Sequence, residues 1–348
     1  MKNKIRFYLE GGGAKCTYQL TFLKHLFNNN NFNNNFELES IWAISFGSVM
    51  AYLFLLDEVD LAKKLLEQGD NILIKSFDLS KYTFFINKIP FIGKYFETLS
   101  NAIWIMNSLK EHGLFKPDNI EKYLQYALMK NKNNIHKLYK LNVMVYNITK
   151  NKSQVINGDH PLIIDYILAG MSVWLLFPPR KIKLLKSECD CNIKCDCRSN
   201  NNDIYCNCSN EFHKYNDFID IGFMHTIPFD NISQDISNNL INCYLLTNPI
   251  NNTVNLSKGN NLLEYMYNII DTVSSKYQNF ITDKINFINN NKITHIITNN
   301  SNLNISEINK YKINKNFKKG IIISKKYLRY LNSKNFSNNK IFKYDHNI

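Results

Sequence analysis

Three stretches of the chain hold residue types and spacings that can do chemistry. The first is Ile41-Trp42-Ala43-Ile44-Ser45-Phe46-Gly47-Ser48-Val49. A β-rich apolar run, Leu38 to Ile44, feeds into Ser45, and an apolar helical run, Val49 to Leu56, leaves it. This is the layout of a nucleophile elbow, in which a serine on a sharp strand-to-helix turn has its hydroxyl pushed clear of the sheet. Incoming strand and outgoing helix nearly touch there, so residues two positions to either side must be small. Ala43 and Gly47 meet that requirement, giving A-x-S-x-G. Taken alone, a serine between small residues at a strand end is more often structural than catalytic.

The second stretch is Gly11-Gly12-Gly13-Ala14-Lys15. Residues 4–9 alternate like a strand, and Leu20, Leu23, Leu26 and Phe27 recur at helical spacing, so a helix is expected over Ala14 to Phe27. The glycines thus lie at a helix N-terminus, where free N–H groups and the helix dipole favour negative charge. A phosphate cradle fits poorly: the Gly-Lys-Ser/Thr ending of a P-loop is missing, and Cys16 occupies the last glycine position of G-x-G-x-x-G. An oxyanion hole fits better, because a candidate nucleophile follows on the next strand. Gly12 and Gly13 can offer N–H groups that no Cβ shields.

The third stretch is Phe218-Ile219-Asp220-Ile221-Gly222-Phe223. A short strand presents Asp220, and Gly222 lets the chain turn closely past it. A lone Asp-x-Gly is usually a turn, so its weight comes from the other two stretches.

Together these pieces resemble the patatin-like phospholipases, a family of serine lipid acyl hydrolases. Gly11-Gly12-Gly13-Ala14-Lys15 matches the family's glycine motif, with Cys16 in place of its final glycine. Ala43-Ile44-Ser45-Phe46-Gly47 matches the serine motif, with Ala for the leading Gly. Asp220-Ile221-Gly222 followed by Thr226-Ile227-Pro228 matches the aspartate motif, with Ile221 and Thr226 as departures. Ala169-Gly170-Met171-Ser172 leading to Phe177-Pro178-Pro179 is similar to the small-residue helix and Pro-Pro pair before the catalytic aspartate, and Asn147 is family-like in its strand.

The resemblance implies a Ser–Asp dyad: Ser45 as nucleophile and Asp220 as general base, with Gly11, Gly12 and Gly13 forming the oxyanion hole. Lys15, Ala43, Gly47 and Gly222 support the motifs. It implies an α/β three-layer sandwich, a mostly parallel central sheet flanked by helices. The reaction implied is phospholipase A-type hydrolysis of phospholipid or acylglycerol esters, with no cofactor for catalysis. A Ser–Asp–His enzyme is the alternative, its base expected late in the chain near His295 or His346. Both lie in a polar, basic region and read as surface residues. A further alternative keeps the fold without the reaction, as a weak or inactive member acting at lipid surfaces through its basic tail.

Residues 5–235 read as the catalytic domain, with a Cys-rich insert at 187–213. Residues 236–348 read as closing sheet and helix elements, with one or two helices over Leu262 to Phe287, followed by a basic C-terminal region with a last basic helix from Gly320-Ile321 to Leu331. The insert holds Cys189, Cys191, Cys195, Cys197, Cys206 and Cys208, three C-x-C pairs with His213 nearby. Clustered thiolates in a reducing compartment suggest metal more than disulfides. C-x-C is not the usual C-x₂₋₄-C spacing, so a structural zinc competes with a redox-active or inert surface insert.

The 348 residues carry a net charge of +13, and 45% are hydrophobic, as in an ordinary globular core. Residues 291–348 hold twelve Lys/Arg against two acidic residues, so most of the excess lies in the last 58 positions. Without a nucleic-acid-binding module, an anionic lipid surface is the partner this basic tail fits best. Part of 58–110, rich in Phe, Tyr, Ile and Trp, is expected either to pack in the core or to form a lipid-touching cap. Asn tracts such as Asn28–Asn31 read as loop expansions. Neither a signal peptide nor a run of 18 uncharged apolar residues is visible. The expected location is therefore intracellular, cytoplasmic or peripheral to a membrane.

Overall fold

Ile5, Phe7 and Leu9 alternate along β1 (Asn3–Leu9) and are buried on one face, while Arg6 and Tyr8 alternate onto the other. A strand buried on both faces belongs in the middle of a sheet, and β1 lies between two parallel partners. On one side is β2 (Phe36–Ile44), with Phe7 opposite Ile41 and Leu9 opposite Ala43. On the other is β9 (Leu240–Leu246), with Phe7 opposite Cys243. The computed structural model describes residues 2–67, 74–75, 115–173, 177–188, 205–206, 214–222, 240–247, 293–299, 303, 309–333 and 341–344.

The remaining strands are β3 (Ile74–Lys75), β4 (Phe115–Lys116), β5 (Leu141–Asn147), β6 (Lys152–Asn157), β7 (Arg180–Lys183), β8 (Tyr215–Ile219), β10 (Ile293–Thr298) and β11 (Ile341–Tyr344). The main sheet runs β11-β10-β9-β1-β2-β5-β8-β7, with β6 also paired to β5, and β3 and β4 form a separate two-stranded ribbon. From β11 to β5 every neighbour is parallel; β6, β7 and β8 are antiparallel to their partners. The helices are α1 (Thr17–Phe27), α2 (Asn30–Asn35), α3 (Phe46–Leu55), α4 (Val59–Glu67), α5 (Asp118–Lys130), α6 (Ile163–Gly170) and α7 (Lys310–Leu331). The architecture is the α/β three-layer sandwich of mostly parallel strands expected from the sequence.

One core joins Ile5, Phe7, Ile41, Ala43, Val143 and Cys243 of the sheet to α1, α3, α6 and α7. Across the sheet, Tyr8 stacks on Tyr244 with ring centroids 4.5 Å apart, and Arg6 forks onto Glu39 at 2.8 and 3.1 Å. α1 and α7 cross closely at Gly320, where a Cβ would meet the Tyr18 carbonyl oxygen at 2.3 Å. Glycine inside a helix costs about 1 kcal/mol in propensity; here it admits the neighbouring backbone. The Thr21 hydroxyl then donates to the Phe317 carbonyl at 2.7 Å.

Three expectations change. The helix expected from Ala14 begins as a 3-10 turn, Gly13–Cys16, before α1. His295, expected at the surface, is wholly buried on β10. Its Nδ1 lies 2.5 Å from the Tyr327 hydroxyl, and its ring packs edge-on against Tyr327 and Tyr330. The last basic helix, expected from Gly320, starts earlier, at Lys310. Helices expected over Leu262 to Phe287, most of the aromatic stretch 58–110, Thr226-Ile227-Pro228 and His346 lie outside the described residues. So do all of the insert cysteines except Cys206, which is buried and donates its N–H to the Leu184 carbonyl at 2.9 Å.

Candidate active site

β2 delivers Ser45 to the carboxyl edge of the sheet with φ 53° and ψ −136°, and α3 begins at the next residue. A positive φ at a residue with a Cβ is strained, by ~1–3 kcal/mol, and it persists because the surroundings fix it. Gly47 is one reason: a Cβ there would lie 2.8 Å from the Glu10 carbonyl oxygen and 3.1 Å from that of Leu9. Gly11 is another, because its Cβ would sit 2.6 Å from Ser45 Cβ. Ala43 is buried in the core on the incoming strand, where a methyl group is accommodated.

Ser45 caps α3 without a side-chain hydrogen bond to it. It lies close enough to the Asp220 carboxylate to favour that group's charged form. Asp220 stands one residue past β8 and is 4% exposed. Its own N–H donates to the Ser172 carbonyl at 3.1 Å, and Oδ1 accepts the Gly222 N–H at 2.7 Å. Burial pushes this carboxyl up to about 6 from its ordinary 3.8, against the opposing pull of the Ser45 and Gly222 hydrogen bonds. Ile221 does not crowd the carboxylate, since its side chain is buried with Ile44 and Met144 in a small apolar cluster.

The glycine turn faces the same edge. Gly12 has φ 140° and Gly13 φ 54°. Among the described residues, no acceptor takes the N–H of Gly12 or Gly13. Lys15 and Cys16 are buried beneath the turn, and Cys16 Sγ donates to the Glu10 carbonyl at 3.4 Å. Burial pushes that thiol well up, so it stays protonated and serves as a small core residue in the position the motif gives to glycine.

A buried polar scaffold that sequence reasoning missed holds this turn. The Glu10 carboxylate accepts the Thr247 N–H at 2.6 Å and lies 3.0 Å from its hydroxyl, which also reaches the Gly11 carbonyl at 2.8 Å. Gln19 Nε2 spans the carbonyls of Glu10 and Leu245, each at 2.9 Å. From α7, Asn316 Nδ2 donates to Thr17 Oγ1 at 2.6 Å and to the Lys15 carbonyl at 3.1 Å, while its Oδ1 accepts Asn299 Nδ2 at 2.7 Å. Glu10 beside the glycines was the one available signal; nothing local marks Thr247 or Asn316.

Among the described residues, no histidine touches Ser45 or Asp220. His295 lies on β10, three strand positions from β2 in the order β10-β9-β1-β2, or ~14 Å at the usual strand spacing. Burial pushes it down to about 3, so its imidazole is neutral and faces α7 rather than the elbow. No cluster of three His, Cys, Asp or Glu among the described residues could hold a metal ion, and no helix among them is long and apolar enough to cross a membrane.

An α/β sandwich that sets a serine on a strained strand-to-helix turn beside a glycine turn, both at the carboxyl edge of its sheet, defines the structural class. The model of the family described as patatin-like phospholipase matches residues 7–230, and the chain belongs to that family. Membership places it among lipid acyl hydrolases in general, enzymes of ester bonds that need no cofactor. No curated protein matches the chain. Among solved structures it is similar to VipD from Legionella pneumophila, at 13% identity and a TM-score of 0.39, over 95% of this chain and 67% of that one.

Proposed function

We propose that the protein hydrolyses carboxylic esters of phospholipids or acylglycerols through a Ser45–Asp220 dyad. Ser45 Oγ attacks the ester carbonyl as its proton passes to Asp220. The tetrahedral oxyanion is held by N–H groups of the turn Gly11–Gly13, with Gly12 and Gly13 as principal donors. As the carbonyl re-forms, the C–O bond to the glycerol side breaks and the alkoxide leaves with the proton from Asp220. Water then adds to the acyl-enzyme, giving its proton to Asp220, and the fatty acid departs as the proton returns to Ser45.

The observation that carries this reading is Ser45, held at φ 53° on the turn, standing beside the buried Asp220 carboxylate and favouring its charged form. A structural serine at a helix start would cap that helix. Asp220 at about 6 is a base largely ionised at neutral pH yet able to hold a proton during turnover. Lys15, Ala43 and Gly47 support the site through backbone geometry, and Gly222 orients the base by donating its N–H to Asp220 Oδ1 at 2.7 Å. Substrates of this kind are met at an aggregate surface, so peripheral contact with an anionic membrane belongs to the same reading. Acyl release from mixed phospholipid vesicles should be present in the wild type and absent in Ser45→Ala. Undiminished release by a folded Ser45→Ala protein would sink the proposal.

A further inference from the structure

The charges at the start of α7 run against its dipole. Lys310, Lys312 and Lys315 occupy the first six residues, where the helix macrodipole is positive and a cation is destabilising. The whole segment Lys310–Leu331 carries eight Lys/Arg and no acidic residue. All three lysines are exposed, and Tyr311 between them is 76% exposed. The helix start is nevertheless firmly built: the Asn309 side chain accepts the N–H groups of Tyr311 and Lys312 at 3.0 and 3.1 Å. A local choice that opposes its own element marks a place where something else needs those residues.

Their position says what. α7 runs alongside α1 in the same direction, with Asn316 beside Thr17, Phe317 beside Thr21 and Tyr327 beside Phe22. Asn316 is level with the glycine turn. At ~1.5 Å per residue, Lys310 stands roughly 9 Å beyond it. The lysine-bearing turns therefore project past the carboxyl edge on which Ser45 sits.

We propose that Lys310, Tyr311, Lys312 and Lys315 form a docking edge for an anionic lipid bilayer, bringing the carboxyl edge of the sheet to the lipid. This rests on the lipid acyl hydrolase reading given above. Three cations at the positive end of a helix complement anionic head groups, and an exposed tyrosine suits the head-group layer, where its ring is half apolar and its hydroxyl stays wet.

The test uses the full chain carrying Ser45→Ala, so that hydrolysis cannot alter the vesicles, and measures co-sedimentation with two vesicle types. One is phosphatidylcholine alone; the other includes phosphatidylserine. Binding should favour the anionic vesicles and weaken with added salt. Adding Lys312→Gln and Lys315→Gln should lower partitioning roughly thirty-fold. Lys132→Gln with Lys137→Gln, on the exposed 3-10 segment entering β5 at the opposite edge, should leave partitioning unchanged. The α7 variant should unfold at the same or a higher temperature, because the charges removed opposed the dipole. Equal binding to both vesicle types, an equal loss in the control pair, a lowered unfolding temperature in the α7 variant, or tighter binding to a mixed-sequence DNA duplex than to anionic vesicles would each overturn the docking edge. Absence of acyl release by the wild type bears on the hydrolase reading alone.

Discussion

Replacing Asp220 by Asn should destroy activity while making the protein more stable, and the gain should depend on pH. The buried carboxyl takes its proton at about 6 rather than 3.8. Between those values the native chain holds a proton that the unfolded chain has released, so stability falls as pH rises through that window and stays low above it. A span of about 2 pH units, at 1.36 kcal/mol each, puts the cost of the ionised group at about 3 kcal/mol near neutrality. Asn cannot ionise, and it keeps an oxygen to accept from Ser45 or Gly222. Urea unfolding should therefore show Asp220→Asn more stable than the wild type by about 3 kcal/mol at about pH 8, with the gap closing by about pH 4. The wild-type kcat/KM should fall tenfold per pH unit below about 6, as its base becomes protonated, and Asp220→Asn should lose about 10²–10⁴ in rate. A stability gap independent of pH, or an activity limb centred near 4, would refute the reasoning that burial sets this carboxyl and that its ionised form does the work.

Three further outcomes follow from the site. Gly47→Ala drives a Cβ against two backbone carbonyl oxygens that cannot retreat; it should cost about 1–3 kcal/mol in urea unfolding and disable ester hydrolysis, and wild-type behaviour in both assays would count against the elbow's steric logic. Asn316→Leu removes the side-chain bonds to Thr17 and the Lys15 carbonyl. It should lower kcat by up to about 10² with KM little changed, as expected for a slightly misplaced oxyanion turn; a change confined to KM would argue otherwise. His295→Gln should lower thermal stability and leave kcat/KM of the folded protein intact. It should also lessen acid destabilisation, since a histidine held at about 3 by burial loses its contribution as pH falls from 6.5 toward that value; loss of hydrolysis in a folded variant would revive a histidine base.

Much of the fold was legible because its elements are locally consistent. Residues 4–9, 38–44 and 141–147 alternate or run apolar as buried strands must, and β1, β2 and β5 occupy those places. The misreading of His295 has a plain cause. β10 is a six-residue strand in an Asn- and Lys-rich stretch, and local polarity says surface. The chain buries it because β9 and α7 close over it from about 50 residues before and about 30 after, supplying Cys243 as strand neighbour and Tyr327 as hydrogen-bond partner. The late start of the last helix in the sequence reading has a similar origin. Lysines in a first turn look like the end of a helix, and only the Asn309 cap reveals a beginning.

The sequence by itself determined which residues could react and what backbone they required. A serine with small residues two positions away, three glycines after a strand and an Asp-x-Gly turn are local demands, set by sterics within a few bonds and therefore written in neighbouring letters. Tertiary structure decided who meets whom: that residues 45 and 220 become neighbours, that burial rather than a charged neighbour sets the acid, and that Asn316 braces a turn about 300 residues earlier. Such contacts come from the order of strands in the sheet and the crossing of α1 with α7. No run of nearby residues encodes either, because both arise only when the whole core closes.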